Sequence, residues 1–303
     1  MESCEKPQRL AVCIASYRRP ERLGALLCAL DAQVFPGERP EIWLVVADND
    51  AAQSARPVCD ALARRLSLPL RYAIEPRKGI PFARNAAVAA AGDAQWIAFI
   101  DDDETPDPRW LATLLRVQRE TGADVVTGPV LPHFERRPAP WVEQGGFFAS
   151  TRRPTGTALD TAYTHNALVR AQALAGRTAL FDVGFTLGVG EDAELFGRLA
   201  SEGFRIVWAD EAVVHESVPP ERASARWLLR RGFVVGTAIT WIATLRRGRL
   251  RAAAGALLHG GFCIAKGLAA AALAGGRSRA RLVHWLQLAA YGAGRWAGVA
   301  GVR

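Results

Sequence analysis

Cysteine is scarce in this chain and is never paired along the sequence. The 303 residues contain five cysteines, an odd number, and none belongs to a CxxC motif. Disulfide frameworks and structural zinc sites need closely spaced cysteines, so the sequence argues against both classes. We expect reduced thiols that act mainly as small core residues. The five positions are Cys4, Cys13, Cys28, Cys59 and Cys263.

Long uncharged segments are missing as well. The polar N-terminus MESCEKPQRL is followed by the apolar run AVCIA, which is far shorter than the hydrophobic part of a signal peptide. We therefore expect the protein to stay in the cytoplasm. Near the C-terminus, the uncharged runs 232–245, 252–265 and 282–294 span 14, 14 and 13 residues. A membrane-spanning helix needs about 20 apolar residues, so these runs favour helices that lie in the membrane interface.

Acidic residues are nearly absent from the last part of the chain. Residues 217–303 contain 14 Arg or Lys residues and a single acid, Glu221, for a net charge of +13, whereas residues 1–216 carry −5. A nearly balanced segment joined to a strongly basic one predicts two functions, and the second involves an anionic surface such as a membrane leaflet or a nucleic acid. We expect one domain over residues 1–220 and a basic helical region over 221–303.

The apolar and basic stretches of this tail predict association with a membrane surface. Arginines flank the uncharged runs and can contact lipid headgroups. A spanning or re-entrant segment is one alternative, and soluble helices or an oligomer surface are another. The expected location is the cytoplasmic face of the inner membrane, with a peripheral or monotopic attachment. The flanking arginines are Arg246, Arg247, Arg249, Arg251, Arg277, Arg279 and Arg281.

Before the tail, strand-like runs alternate with helical patterns. RLAVCIA, EIWLVVAD, LRYAI and WIAFI are short runs of strand formers, and stretches such as PERLGALLCALDAQ and PFARNAAVAAAG separate them. This alternation predicts an α/β fold with a mostly parallel sheet that is flanked by helices. Ligands of such sheets bind at the carboxyl ends of the strands, where Asp48 and Asp101–Asp103 are expected.

Three consecutive aspartates, Asp101–Asp103, end the run WIAFI. Adjacent carboxylates repel one another and are costly to desolvate at the end of a buried strand, so a cation is expected to compensate them. Mg²⁺ or Mn²⁺ is suited to this task, because such ions bind carboxylate and phosphate oxygens together. The pattern therefore predicts a metal and nucleotide site. The alternative is a solvated turn in which Asp103 or Thr105 caps the next helix.

Eight motifs carry a resemblance to a known family. CIASYRRPERL, VVADND, EPRKGIPFARNAA, FIDDDE, GPVLP, THNALVR, GEDAELFGRL and VVHE follow one another between about residues 8 and 232. With them the chain resembles the inverting glycosyltransferases of family 2, which have the Rossmann-like GT-A fold, and within that family the ExoM-type enzymes of bacterial exopolysaccharide assembly. The resemblance implies a Mn²⁺- or Mg²⁺-dependent transfer of one hexose, glucose from UDP-glucose, onto a lipid-linked oligosaccharide.

The same resemblance implies roles for individual residues. Asp192 corresponds to the catalytic base, with Glu191 beside it. A carboxylate at the N-terminus of a helix stays ionised and can accept the proton of an attacking hydroxyl, which agrees with that role. The implied nucleotide contacts are Ser16, Tyr17, Arg18, Asp48, Arg84, Asp101 and Asp102. The implied metal ligands are Asp101, Asp103 and His215.

Structural roles remain open for several of these residues. Glu191 and Asp192 can be first-turn acids that only stabilise a helix. His215 can be an ordinary packed histidine, and Arg84 a solvated arginine. Asp48 closes a strand and can cap the turn that follows it.

Candidate acceptor contacts follow from the basic pattern and from one motif. Arg222, Arg226 and Arg230 recur every four residues, which predicts a single helix face for lipid phosphates or for the diphosphate of a lipid-linked acceptor. A solvated basic face is the alternative. Asn166 in THNALVR is a further candidate contact. Ala223 stands where the QxxRW motif of processive synthases has glutamine, and this favours one sugar per encounter.

Residues 131–156 are rich in Pro, Gly and Arg and predict a loop over the site. Gly145 and Gly146 are expected to act as its hinge. Three aromatic residues of this loop can either pack within it or stack on a sugar. They are Trp141, Phe147 and Phe148.

Two other function classes compete with the glycosyltransferase prediction. A sugar nucleotidyltransferase shares the metal and sheet logic, but it should carry a glycine-rich loop after the first strand, and ASYRRPERL has no glycine before Gly24. A nucleic-acid-binding protein could use the basic tail. The clustered acids before the tail and its few scattered aromatics argue against a stacking platform, so we expect no nucleic-acid partner.

Overall fold

The structure is a computed structural model that describes residues 8–177, 180–185, 188–274 and 278–302. Cys4 and Arg277, both named above, lie outside the described residues. Two compact units make up the chain. The first, the sheet unit, comprises Met1–Leu131, Ser150–Val183 and Asp192–Glu216. The second, the helical unit, comprises Pro132–Ala149, Gly184–Glu191 and Ser217–Arg303. The helical unit therefore includes two segments that precede the predicted basic region in the sequence.

Strands and helices alternate through the first half of the chain, and long helices dominate its end. The strands are β1 Arg9–Ser16, β2 Glu41–Asp48, β3 Leu70–Ile74, β4 Trp96–Phe99, β5 Glu104–Pro106, β6 Val125–Thr127, β7 Val130–Phe134, β8 Ala158–Leu159, β9 Ala167–Arg170, β10 Ile206–Trp208 and β11 Val214–Val218. The helices are α1 Pro20–Asp31, α2 Arg56–Leu62, α3 Ile80–Ala91, α4 Trp110–Thr121, α5 Pro140–Gly145, α6 Ala171–Leu174, α7 Glu191–Ser201, α8 Ala225–Arg247, α9 Arg249–Ala274 and α10 Arg279–Val299.

The main sheet has eight strands in the order β3-β2-β1-β4-β9-β6-β10-β8. β1 to β4 run parallel to one another, as the alternating pattern predicted. β9 lies antiparallel between β4 and β6, so the second half of the sheet is mixed. The run DVVTGPV contributes to two strands: it forms β6 in the main sheet and begins β7 in a three-stranded sheet of order β5-β11-β7. Pro129 separates the two strands because it has no N–H to donate to a ladder.

Helices cover both faces of the parallel strands. Side chains alternate along β1, so one face packs large residues against α1 and α4, and the other packs small residues against α3. Both faces are dry, which explains why the strands read as continuous apolar runs. The large set includes Leu10, Val12, Ile14, Leu23, Leu26 and Trp110. The small set includes Ala11, Cys13, Ala15, Ala83, Ala87 and Ala91.

The predicted loop over residues 131–156 contains regular structure. Pro140 opens α5, and Gly146, in the left-handed region with φ 61°, ends it. The two glycines expected to act as a hinge therefore belong to a helix end. Phe148 stacks on Trp227 with ring centroids 5.9 Å apart. Trp141 packs edge-on against Phe147 at 5.7 Å, so these rings make the packing contacts that were one of the two predicted uses.

The helical unit is dominated by α8, α9 and α10, which contain 23, 26 and 21 residues. Each helix includes arginines at its end and is therefore longer than the uncharged run inside it. α8 begins at Ala225 because the Ser224 hydroxyl caps it by accepting from the Trp227 N–H. Arg222 precedes the helix, so the predicted face of three arginines is wrong, and only Arg226 and Arg230 lie on α8.

Small residues mediate the contacts between these helices. A Cβ added to Gly236 would overlap the carbonyl oxygen of Tyr291, and one added to Gly294 would overlap that of Phe233. Alanine, glycine and cysteine fill the buried side of α9, while most of its large apolar residues face outward. By length and composition alone, the described helices that could cross a membrane are α8 and α9, a weak criterion that a core helix of a soluble protein can also meet. The exposed residues of α9 include Leu250, Leu257, Leu258, Phe262, Leu268 and Leu273.

Candidate active site

The turn after β1 forms ion pairs with acids that follow β2 and β4. Arg18 adopts the left-handed conformation with φ 55°, which is uncommon for a residue with a side chain and costs local strain. Its guanidinium donates to both carboxylate oxygens of Asp50, at 3.1 and 3.3 Å. The Tyr17 ring contacts the Arg18 guanidinium at 5.1 Å and the Lys78 ammonium at 5.4 Å. The turn therefore concentrates positive charge at the carboxyl end of β1.

The aspartate run meets this turn because β1 and β4 are neighbours in the sheet. Asp102 accepts hydrogen bonds from the Ser16 hydroxyl at 2.9 Å and the Tyr17 N–H at 3.4 Å. One nitrogen of Arg19 lies 2.8 Å from Asp102 and 3.0 Å from Asp103. Burial raises the pKa of Asp102, and the Arg19 charge opposes that effect. Ser16 and Tyr17 thus reach the predicted site, through Asp102.

Asp101 is the most accessible acid of the run, with 35% of its side chain exposed. It pairs at 3.0 Å with Arg84 of α3, whose side chain is only 9% exposed and packs over the Phe181 ring at 6.0 Å. Arg84 is therefore a buried, oriented cation and not a solvated one. Glu104 accepts from the Asp101 N–H, and burial together with Asp101 raises the pKa of Glu104 well above its ordinary value.

The Asp48 carboxylate accepts hydrogen bonds from the turn that follows β2. Its side chain is fully buried, and one oxygen accepts from the Asp50 N–H at 3.1 Å. The other oxygen accepts from the Ala55 N–H at 2.8 Å and from the Tyr72 hydroxyl at 2.9 Å. This geometry matches the capping alternative and corrects the predicted contact with a nucleotide base, because no part of the carboxylate reaches solvent.

His215 lies on β11, where Nε2 is 3.0 Å from Asp107 Oδ1. Over the described ranges, no group of three His, Cys, Asp or Glu side chains comes close enough to hold a metal ion. The predicted set of His215 with Asp101 and Asp103 is thus not assembled into a cage. The two aspartates fit the other mode of Mg²⁺ or Mn²⁺ binding, in which one or two carboxylates share the ion with phosphate oxygens and water.

The predicted base lies in the first turn of α7. Asp192 is half-buried, and its Oδ2 lies 3.4 Å from the Thr164 N–H nitrogen and 3.5 Å from the Thr164 hydroxyl. Glu191, the other predicted acid, is only 2% exposed. Of the two, Asp192 has the access that a general base needs. Its catalytic role stays a prediction.

Asn166 is not an acceptor contact. The side chain is fully buried, and its amide nitrogen donates to the carbonyl oxygens of Pro129 at 3.0 Å and Ala212 at 2.7 Å. Its amide oxygen accepts from Trp110 Nε1 at 2.8 Å. The amide nitrogen and the amide oxygen of Asn166 are therefore both hydrogen-bonded to other groups of the sheet unit. The prediction is wrong because these partners are distant in the sequence.

Sequence reasoning missed the residues that neutralise the acids. Arg19 and Arg22 belong to the motif SYRRPERL, which was interpreted only through its first three residues. Thr164, in THNALVR, was also missed. A cavity of about 780 Å³ in the sheet unit lies elsewhere, against α4, and none of the predicted site residues lines it.

Comparisons with known proteins agree with the geometry. The profile named Glycosyl transferase family 2 matches residues 11–177, and that of Glycosyl transferase family group 2 matches residues 96–293. The chain is 36% identical over 254 residues to succinoglycan biosynthesis protein ExoM of Rhizobium meliloti (strain 1021), covering 82% of this chain and 81% of that protein.

Two solved structures resemble the chain at low identity. One is the mannosyltransferase PcManGT from Pyrobaculum calidifontis in complex with GDP-Man and Mn²⁺, with a TM-score of 0.60, 17% identity and coverage of 95% of this chain and 87% of that one. The other is S. aureus TarS 1-349 in complex with UDP, with a TM-score of 0.57, 16% identity and coverage of 93% and 90%. Such identities show the fold alone, and they confirm the predicted GT-A type of α/β fold.

Proposed function

The chain belongs to glycosyl transferase family 2, and from this premise we propose that it transfers one hexose, glucose from UDP-glucose, onto a lipid-linked oligosaccharide with inversion at the anomeric carbon. The product is an intermediate of a bacterial exopolysaccharide, which the name of the succinoglycan relative supports. A uridine donor is supported by TarS, which has been crystallised with UDP and with UDP-GlcNAc.

The observation that carries this proposal is the aspartate run at the end of β4. Asp101 and Asp103 are the residues that would hold a divalent ion, which supplies charge neutralisation for a departing diphosphate when it is bound. Arg19 and Arg84 lie against the same acids and add fixed positive charge. Developing negative charge on a leaving group is stabilised most by cations that are already oriented.

Asp192 is the base of the proposed reaction. Its carboxylate accepts the proton of the acceptor hydroxyl, whose oxygen forms the new bond to the anomeric carbon while the bond to the diphosphate breaks on the opposite side. Thr164 holds the Asp192 carboxylate from one side and so limits its rotation. Attack from the side opposite the leaving group gives inversion.

The helical unit supports a membrane-bound acceptor. Leu258 and Leu273 on α9 are 79% and 78% exposed, which is costly in water and favourable against acyl chains. Arg226 and Arg230 are exposed on α8 and are the proposed contacts to lipid or acceptor phosphates, with Arg222 in the turn before them. We place the enzyme at the cytoplasmic face of the inner membrane, attached as a peripheral or monotopic protein.

A donor panel tests this function. Membranes containing the protein are incubated with radiolabelled UDP-glucose, UDP-galactose, UDP-GlcNAc or GDP-mannose, and lipid is extracted and counted. We expect label in lipid from UDP-glucose, and about 10²- to 10⁴-fold slower labelling when Asp192→Asn replaces the wild type. Transfer from GDP-mannose alone would overturn the uridine donor. Release of pyrophosphate from UTP and a sugar 1-phosphate would favour the nucleotidyltransferase alternative.

A further inference from the structure

Two consecutive arginines, Arg18 and Arg19, form ion pairs with different acids at the candidate site. The left-handed turn at Arg18 directs its side chain to Asp50, and the next residue, Arg19, reaches Asp102 and Asp103. Since strain of this kind persists only where other contacts hold it, the two sets of ion pairs are part of a built arrangement.

Arg19 forms an ion pair with Asp103, the carboxylate that a divalent ion would need. Asp103 has only 6% of its side chain exposed, and Arg19 lies at 3.0 Å from it, with Arg22 at 3.8 Å. A guanidinium in contact with this carboxylate repels a second cation that approaches the same oxygens. Arg19 and a metal ion therefore compete for Asp103.

The two arginines at the aspartate run differ in their freedom to move. Arg84, paired with Asp101, is 9% exposed, so its position is fixed by packing. Arg19 is 39% exposed and keeps room to rotate. If Arg19 leaves, Asp102 still accepts from Ser16 and from Tyr17, so the run does not lose its anchor.

We propose that Arg19 is an exchangeable counter-ion: it neutralises Asp102 and Asp103 before the donor binds, and it moves to the donor's diphosphate when the metal ion takes Asp103. Arg19 is a positioning residue in this scheme, and the inference rests on the proposed function, because it requires a nucleotide donor with a metal ion. The diphosphate draws Arg19 away and so opens Asp103, while the metal releases Arg19 for the diphosphate. Metal and nucleotide must then bind cooperatively, so that each raises the affinity for the other by the same factor.

Direct metal binding tests the exchange without any turnover. The free Mn²⁺ signal in electron paramagnetic resonance is titrated with the full-length protein, without nucleotide and then with saturating UDP. The wild type should bind Mn²⁺ weakly alone, and UDP should tighten binding within the roughly 5- to 150-fold range of ordinary site coupling. Arg19→Gln should bind Mn²⁺ alone on the order of 10-fold more tightly than the wild type, and UDP should tighten that binding by a smaller factor than in the wild type, since only the direct contact between phosphate and metal remains.

Matched variants separate this role from simple folding support. Arg116→Gln removes an arginine of the sheet unit that is 46% exposed and pairs with Glu120 at 2.9 Å, and it should leave binding of Mn²⁺ alone as in the wild type. Arg19→Lys keeps the charge and should keep that binding weak, which makes it the informative variant if Arg19→Gln melts early by circular dichroism.

Unchanged Mn²⁺ affinity and unchanged UDP coupling in Arg19→Gln would overturn the exchange and leave Arg19 as a structural pin. The same holds if Arg19→Lys binds Mn²⁺ alone as tightly as Arg19→Gln. Failure of the wild type to bind UDP or GDP at all would instead overturn the proposed donor. Binding of UDP with no Mn²⁺ bound under either condition would remove the metal from the proposed function, and this inference with it.

Discussion

The sheet unit and the helical unit pack their side chains in opposite ways. In the sheet unit, large residues such as Leu23, Leu26 and Trp110 are fully buried. In α9 of the helical unit, the buried positions are small, for example Ala256 and Gly260, and the leucines face outward. Water drives large apolar groups inward, whereas helices surrounded by lipid associate through small residues and close backbone contact. The packing of α9 is of the kind expected for helices in lipid, and it supports the membrane association proposed above.

Charge also differs between the sheet unit and the C-terminal segment of the helical unit. Most acids and many arginines of the sheet unit pair with each other, as Arg152 does with Asp210 at 2.7 Å. From residue 217 to the end of the chain, Glu221 is the sole acid beside 14 basic residues. The basic residues of this segment therefore have few acids in the same segment with which to form ion pairs. Such a segment is suited to anionic lipid, where each basic residue contributes about 1 kcal/mol near the surface.

The largest effect that should distinguish the two units is the loss of transfer activity when the proposed base of the sheet unit is replaced. Asp192→Asn should lower transfer by about 10²- to 10⁴-fold, because a general base is removed, and UDP affinity by calorimetry should stay as in the wild type. Vesicle binding, which the proposed function assigns to the helical unit, should not change either. If Glu191→Gln costs more activity than Asp192→Asn, the base has been assigned to the wrong acid.

Two glycine substitutions test the packing of the helical unit. Gly236→Ala places a methyl group onto the Tyr291 carbonyl oxygen and should lower stability by at least about 1–3 kcal/mol. Gly255→Ala, within α9 and with open space around its Cα, should raise stability by roughly 0.5–1 kcal/mol through helix propensity. Thermal unfolding in detergent micelles measures both. Equal effects of the two changes would show that α8 and α10 do not pack closely.

The outward leucines of α9 can be tested one at a time. Leu258→Gln should weaken binding to vesicles of anionic lipid on the order of 10-fold, because one buried leucine contributes about 1.5–3 kcal/mol. Val34→Gln is the matched control, since Val34 is a 48% exposed apolar residue of the sheet unit. Flotation on liposomes gives the bound fraction. A protein that ignores vesicles but becomes monomeric on Leu258→Gln would assign this face to a second copy of the chain.

Acid pH should affect the sheet unit slightly. The Arg152 hydrogen bonds lower the pKa of Asp210 to about 2. An Asp in the unfolded chain titrates near 3.9, so the carboxylate stabilises the fold above about pH 4, and the contribution is lost as the pH falls towards 2. Because the pair is partly solvated, Asp210→Asn should cost below about 1 kcal/mol at pH 7. Urea unfolding at pH 7 and pH 3 checks this, and the variant should show a smaller difference between them.

Local patterns predicted the features that depend on neighbours in the sequence. The apolar runs predicted β1 to β4, and the family resemblance implied that Ser16, Tyr17 and the aspartate run belong to one site. Asp48 was misassigned because its partners, the Ala55 N–H and the Tyr72 hydroxyl, are defined only by the folded turn. Asn166 was misassigned for the same reason over longer distances. Arg222 was placed on a helix because a spacing of four does not reveal where Ser224 starts α8.

The hydrogen bonds of Asn166 also bear on how the sheet unit folds. They join Trp110, Pro129 and Ala212, so this network closes only after the chain has been synthesised past residue 212. The strands β1 to β4 need no residue beyond 99 to pair with one another. Contacts between nearby segments form faster than contacts between distant ones. On the ribosome, we therefore expect the parallel half to assemble first and to serve as the template on which β6, β9 and β10 later complete the sheet.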